Sequence, residues 1–347
     1  MDQLTIAGRT IGDGLAPYVI AEIGSNHNGD MALCREMIDA AHAAGADAVK
    51  FQSWTRDSLI SSAEYARNTR YAAERKAPSL EDAVVRYQMT PDRMRDIAGY
   101  CRDRDITCFS SCFSAAEVDL LESLDAPAYK VASMDVNHLP LLRHIAATGK
   151  PVLLSVGMAT LGEVERALHA LEHGGPVALL HCLSMYPTPP EEVNLRQLGT
   201  WRQAFDVPVG YSDHTLGIAV PLAAVALGAC TIEKHFTLDR TLEGWDHALS
   251  ADPAELRALV NGCREVHQAL GSAARVVGAA ELEKRKTFRR RMVATRPIRR
   301  GEPLAATDVD FKRPGTGIQP DELDYVLGRR LTRDVEAEEE LAWSDLG

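Results

Sequence analysis

A chain of 347 residues is long for one compact domain, and its 46% apolar and 25% charged residues are those of an ordinary globular protein. A formal net charge of −11 argues against a nucleic-acid partner held through phosphates, and no apolar run approaches the length needed to cross a membrane. Anionic small molecules stay open as ligands, because a local cationic pocket can sit inside an acidic protein. The N-terminus lacks a basic segment followed by an apolar one, so the expected location is cytoplasmic. The seven cysteines include no CxxC pair and fit reduced thiols, with Cys108 and Cys112 expected in a structural or pocket-lining role.

Along the first 240 residues, short apolar runs alternate with helix-like stretches. The runs are "YVIAEIG" (18–24), "AVKFQ" (48–52), "TCFSS" (107–111), "AYKVAS" (128–133), "PVLLSVG" (151–157), "VALLHCLS" (177–184), "VPVGYSD" (207–213) and "CTIEKHF" (230–236). Segments such as 31–46, 90–105 and 160–175 carry apolar residues at three- and four-residue spacing between them. Eight strands alternating with helices predict parallel pairing and a closed (β/α)8 TIM barrel. An open doubly wound sheet would want a Gly-rich phosphate turn after its first strand, and "AEIGSNHNGD" is not of that type. Residues 56–90 form a long polar insertion, read equally as a lid or partner surface or as a solvated insertion with no catalytic part. The barrel is assigned to 1–280 and a basic interdomain linker to 281–291. A small, mostly β domain follows over 292–347, too small to be stable without packing on another domain or subunit.

Barrel chemistry sits at the C-terminal ends of the strands. Those ends carry Glu22, then Lys50 and Gln52, Ser110 and Ser111, Lys130 and Ser133, Ser155, Ser184 and Tyr186, Ser212 and His214, and Glu233 and His235. A lysine inside an apolar strand needs a partner, and two of them with several hydroxyls make a pocket for phosphate or carboxylate. His214 and His235 end neighbouring strands, within reach of one divalent ion whose remaining positions stay open to water and substrate oxygens. Either histidine alone could be structural. His181, inside a strand, reads as core; His27 could line the pocket, and Asp246–His247 could contact substrate.

These stretches carry a resemblance. "AEIGSNHNGD", "KFQSW", "YKVAS", "GKPVLLSVGMA", "LLHCLSMYPTP", "GYSDHTLG", "EKHFTLDR" and "KRPGTGI" occur in an order that resembles the sialic acid synthases, including their legionaminic and pseudaminic acid relatives. The resemblance implies a TIM barrel joined to a C-terminal SAF (antifreeze-like, β-clip) domain and a domain-swapped homodimer. It implies condensation of phosphoenolpyruvate with the open-chain aldehyde of an N-acylated hexosamine, with a divalent metal, manganese or else magnesium or cobalt, on His214 and His235. By the same resemblance Lys50, Lys130, Ser133, Ser155, Ser184 and Ser212 hold phosphoenolpyruvate, and Glu22 and Glu233 either handle protons or orient the sugar hydroxyls. Gln52, Tyr186, Asp246 and, from the other chain, Arg313 contact the sugar. Three positions depart from the family pattern: Ser184 where Asn is frequent, Trp245 where Pro is usual, and Asp135 where many relatives carry Glu. They bear on the acceptor more than on the reaction. The competing expectations are a related synthase acting on an unusual sugar or nucleoside aldehyde, and a non-catalytic sugar-binding protein.

Overall fold

The computed structural model describes residues 3–68 and 79–347, and the chain divides into two compact units, Met1–Gly271 and Ser272–Gly347. The first unit opens with a hairpin, β1 (Leu4–Ile6) and β2 (Arg9–Ile11), paired antiparallel around Ala7 and Gly8. Both turn residues have positive φ, 47° and 81°, which a two-residue hairpin turn requires. Then come β3 (Tyr18–Gly24), β4 (Ala48–Gln52), β5 (Thr107–Ser111), β6 (Tyr129–Val131), β7 (Val152–Ser155), β8 (Val177–Cys182), β9 (Val209–Asp213) and β10 (Thr231–His235). These eight close into a parallel barrel in sequence order, β10 pairing with both β9 and β3. The expected TIM barrel is present, with every expected strand in place.

The helices follow from local signals. Asp30 caps Met31–Ala44 by accepting from the Ala32 and Leu33 N–H groups, and Gly45, at φ 86°, ends that helix in the left-handed conformation. Thr90–Pro91 and Asp252–Pro253 start two more with a capping side chain followed by proline at the first position. Among the described residues no helix is long and apolar enough to cross a membrane.

The hairpin gives the barrel one closed end. Leu4, Ile6 and Ile11 are fully buried and cluster with Tyr18, Ile20, Phe109, Leu153 and Leu180 inside the N-terminal mouth. Arg9 pairs with Asp47, whose other oxygen accepts the Val19 N–H at 2.7 Å, tying the hairpin to the strand beside it. The C-terminal mouth stays open. Ile6→Ala should cost about 2–5 kcal/mol in urea unfolding, against under about 0.5 kcal/mol for Thr5→Ala on the exposed face.

The second unit contains the antiparallel pair β11 (Arg291–Ala294) and β12 (Val309–Lys312), over a core that includes Met292, Ile298, Ile318, Leu331 and Leu341. The expected linker, 281–291, overlaps a helix, Ala279–Phe288. That helix buries no residue, so it has no apolar stripe to betray it. Strong helix formers carry it, with Glu281 in the first turn and Arg285 and Lys286 in the last complementing its dipole.

Candidate active site

A cavity of about 530 Å³ opens at the C-terminal mouth of the barrel. Strand alternation builds its floor, because residues two apart share a face. Lys50, Gln52 and then Trp54 point inward from β4 and its extension, as do Glu233 and His235 from β10. The intervening Lys234 faces outward, where Asp213 pairs with it at 2.6 Å. Register sets the neighbours: Glu22 lies beside both Lys50 and His235, Glu233 beside Ser212, and Ser111 beside Lys130.

The floor is a compact charge network. Lys50 Nζ lies 2.7 Å from Glu22 and 3.8 Å from Glu233, and donates to Ser111 Oγ at 2.8 Å. Lys130 Nζ lies 3.9 Å from Glu233, which accepts from Ser212 Oγ at 2.8 Å. Gln52 donates to Glu22 at 2.8 Å and accepts from the Trp54 indole at 2.8 Å. The pocket is therefore not the plainly cationic one expected: each lysine stands beside a carboxylate, as burial of an ammonium demands. The two carboxylates diverge. Burial, helped by Glu233, pushes Glu22 up to about 7 against the pull of Lys50. Burial also pushes Glu233 up, but Lys130 and Lys50 more than offset it and hold Glu233 below its ordinary value.

His214 and His235 stand side by side, ring centroids 5.3 Å apart, with the Tyr186 ring 4.1 Å from that of His214. His214 Nδ1 lies 2.6 Å from the Leu183 carbonyl oxygen, which fixes the proton on that nitrogen and leaves Nε2 its lone pair. His235 Nδ1 is buried without a hydrogen bond, 3.8 Å from Asp246. Burial drives His235 far below its ordinary pKa and keeps it neutral, while for His214 the Cys182 sulfur and Leu183 carbonyl outweigh burial and raise it. An orphaned buried ring nitrogen beside a second imidazole fits a divalent ion. Among the described residues no cluster of three His, Cys, Asp or Glu side chains is arranged to hold a metal, so a metal here would have these two imidazoles as its candidate protein donors.

The cavity brings together the barrel residues that the resemblance assigned to catalysis, substrate or metal: Glu22, Lys50, Gln52, Lys130, Ser133, Ser155, Ser184, Tyr186, Ser212, His214, Glu233, His235 and Asp246. Ser155 Oγ is buried without a partner, and Ser133 Oγ accepts the Gly157 N–H at 3.0 Å. Arg313 belongs to the second unit, where its guanidinium lies 5.5 Å from the Phe288 ring. His27 and His247 do not line the cavity; His27 Nδ1 accepts the Gly29 N–H, and His247 Nδ1 meets Thr237 Oγ1 at 2.7 Å. Asp135 is also outside it, its carboxyl raised to about 6 by burial. His181 is core, bonded to the Val193 carbonyl and the Trp201 indole. Neither Cys108 nor Cys112 reaches the cavity, whereas Cys182 does.

One wall was largely not foreseen. Trp54, Leu59, Ile60, Leu80 and Phe113 join Trp245, already expected to bear on the acceptor, in making it apolar. Trp54 continues the alternation Lys50–Gln52 and could have been found that way. Leu59, Ile60 and Leu80 come from the 56–90 insertion, which thus contributes to the cavity; its residues 69–78 lie outside the described residues.

Comparison with known proteins agrees with this architecture. The NeuB family model matches residues 37–275 and the SAF domain model residues 289–347. An uncharacterised protein of Methanocaldococcus jannaschii is 42% identical, over 100% of this chain and 99% of its own. The N,N'-diacetyllegionaminic acid synthase of Legionella pneumophila is 36% identical over 96% of both chains. The N-acetylneuraminic acid synthetase of Leptospira borgpetersenii, solved in complex with citrate, superposes with a TM-score of 0.73 at 33% identity, covering 82% of this chain and 95% of that one. A family model spanning more than half the residues, and relatives aligned along nearly the whole length, make this chain a NeuB-family enzyme.

Proposed function

We propose that the enzyme condenses phosphoenolpyruvate with the open-chain aldehyde of an N-acylated hexosamine, releasing phosphate and forming a nine-carbon 2-keto acid of the nonulosonic type. The observation that carries this reading is the network on the barrel floor, where two buried lysines, serine hydroxyls and two carboxylates of divergent pKa adjoin a histidine pair. The relatedness to a legionaminic acid synthase supports it further.

In this reading Lys50 and Lys130, with Ser133, Ser155, Ser184 and Ser212, bind the phosphate and carboxylate of phosphoenolpyruvate. Ser155 brings a hydroxyl that has no protein partner to give up. The same donors offset charge that develops at C2. The enolpyruvyl C3 forms the new bond to the aldehyde carbon, the aldehyde oxygen takes a proton, water adds at C2, and the C2–O bond to phosphate breaks. Two carboxylates pushed apart in pKa divide the proton work. Glu22, at about 7, carries a proton near neutrality and gives it to the aldehyde oxygen, while Glu233 stays ionised and takes the proton of the adding water. His214 and His235 hold a divalent ion, manganese by the family resemblance, which when bound supplies a Lewis acid that polarises the aldehyde. Gln52, Tyr186 and Asp246 orient the sugar. Two chains pair so that Arg313 of one reaches the acceptor of the other, a reading supported by the resemblance around "KRPGTGI".

Phosphate release from phosphoenolpyruvate, measured with N-acetylmannosamine, its 6-phosphate and 2,4-diacetamido hexoses, tests the proposal. Saturable release with at least one of them, and a product mass equal to acceptor plus phosphoenolpyruvate plus water less phosphoric acid, is expected. Release with none of them would refute the reaction.

A further inference from the structure

Past the end of β7 the chain keeps the alternation of a strand. Leu153 and Ser155 face the barrel interior while Leu154 and Val156 pack outward with the helices, so position 157 should turn a side chain into the cavity. It is Gly157, and it has none. The ladder to β8 continues here, the Val156 N–H donating to the Leu180 carbonyl at 3.1 Å, so pairing holds this backbone in place.

The two neighbouring strand ends take the space a side chain would fill. A Cβ on Gly157 would lie 2.8 Å from Ser133 Oγ, which follows β6, and 3.0 Å from Ser184 Oγ, which follows β8. It would also lie 3.1 Å from the Cys182 carbonyl oxygen. Two hydroxyls from opposite sides of β7 thus approach one point, and Ser133 comes nearer to it than a Cβ tolerates.

The glycine backbone also orients one of them. The Gly157 N–H donates to Ser133 Oγ at 3.0 Å, which uses a lone pair and leaves the hydroxyl proton to be given elsewhere. That proton meets the Cys182 sulfur, a weak acceptor that an anion would displace. Two residues back on the same face, Ser155 Oγ is buried without a partner. The hydroxyls around Gly157 are therefore donors that a bound anion would satisfy, in a cavity that also holds Lys130. An alanine at 157 would be accommodated cheaply. Ser133 Oγ can swing to another staggered well, about 2 Å away, and the Cys182 carbonyl needs to give by a few tenths of an ångström. The fold would lose little, and the arrangement of donors would be lost.

Resting on the condensation reading, we propose that Gly157 is a positioning residue for phosphoenolpyruvate: the missing side chain lets Ser133 and Ser184 turn toward each other, and the N–H fixes Ser133, so that both hydroxyls are presented to one anionic group of that substrate.

The test is phosphate release with an acceptor that supports it in the assay above. Gly157→Ala should raise the KM for phosphoenolpyruvate at least about tenfold, the scale of a lost hydrogen bond to a charged group, while the acceptor KM moves by less than about threefold. Ser133→Ala should raise the phosphoenolpyruvate KM by a similar factor in the wild-type background. Once residue 157 is alanine it should add less than about threefold, because its hydroxyl is already displaced. A glycine kept only for backbone fit would leave the two effects multiplicative. Should Gly157→Ala not fold, Ser133→Ala, Ser184→Ala and their double variant decide instead: the hydroxyls should act as a unit, the double variant falling well short of the product of the single effects. An unchanged phosphoenolpyruvate KM in Gly157→Ala, an equal rise in both KM values, or multiplicative effects in either cycle overturns the proposal and leaves the condensation standing. No release with any acceptor in wild type overturns the condensation and this inference with it.

Discussion

Replacing either His214 or His235 by alanine is expected to lower metal-dependent phosphate release by on the order of a thousandfold, the scale of the several kcal/mol a Lewis acid contributes. The reasoning rests on the donor set. The two imidazoles proposed for it have ring centroids 5.3 Å apart, and among the described residues no cluster of three potential ligands exists to substitute for a missing one. Loss of one ring leaves a single protein donor, so metal affinity and turnover should fall together. Protonation acts in both directions: burial keeps His235 neutral and the Leu183 carbonyl fixes the His214 tautomer, while the raised pKa of His214 makes its proton compete with the metal. Equilibrium dialysis against Mn2+ alongside turnover separates the two effects. Full activity in either variant, or tight metal retention in both, would remove the histidines from the metal site.

How much of this could be read from the sequence depends on how local each feature is. The barrel strands were legible because parallel strands buried on both faces appear as continuous apolar runs, as in "PVLLSVG" and "VALLHCLS". The N-terminal hairpin was not, since two three-residue strands are too short for any period to register. The helix Ala279–Phe288 escaped for the opposite reason: it buries nothing, so only propensity speaks for it. In the site, the polar residues at strand ends could be named one by one. Which carboxylate meets which lysine could not, because Lys50–Glu233 forms only when β10 closes against β3 across more than 180 residues of chain. The apolar wall lies between these cases. Trp54 follows strand alternation, but Leu59, Ile60 and Leu80 reach the cavity from an insertion that carries no such rule.

That closure makes Lys50 the residue whose loss should show most sharply in both activity and stability. Lys50→Ala removes the ammonium that stands 2.7 Å from Glu22 and 3.8 Å from Glu233, leaving two carboxylates buried against each other. Breaking a buried pair by removing one partner costs about 3–5 kcal/mol. Turnover should fall by on the order of a hundred- to a thousandfold, since a donor to the reacting anion is lost. The deficit in stability should depend on pH with a definite sign. Glu22, already raised by burial from 4.5 to about 7, rises further without its cation, so the folded state binds a proton that the unfolded state has released. The contribution of Glu22 is therefore harmless below about 4.5 and grows more destabilising as pH rises through and beyond 7, so the variant should lie nearest to wild type in acid. Adding Glu22→Gln removes the uncompensated charge while keeping an acceptor for Gln52. The double variant should regain much of the lost stability at pH 8 and none of the lost activity. Two outcomes would count against this account: wild-type kcat/KM for phosphoenolpyruvate in Lys50→Ala, or a double variant no more stable than the single one, which would mean that Glu22 is not the carboxylate Lys50 neutralises.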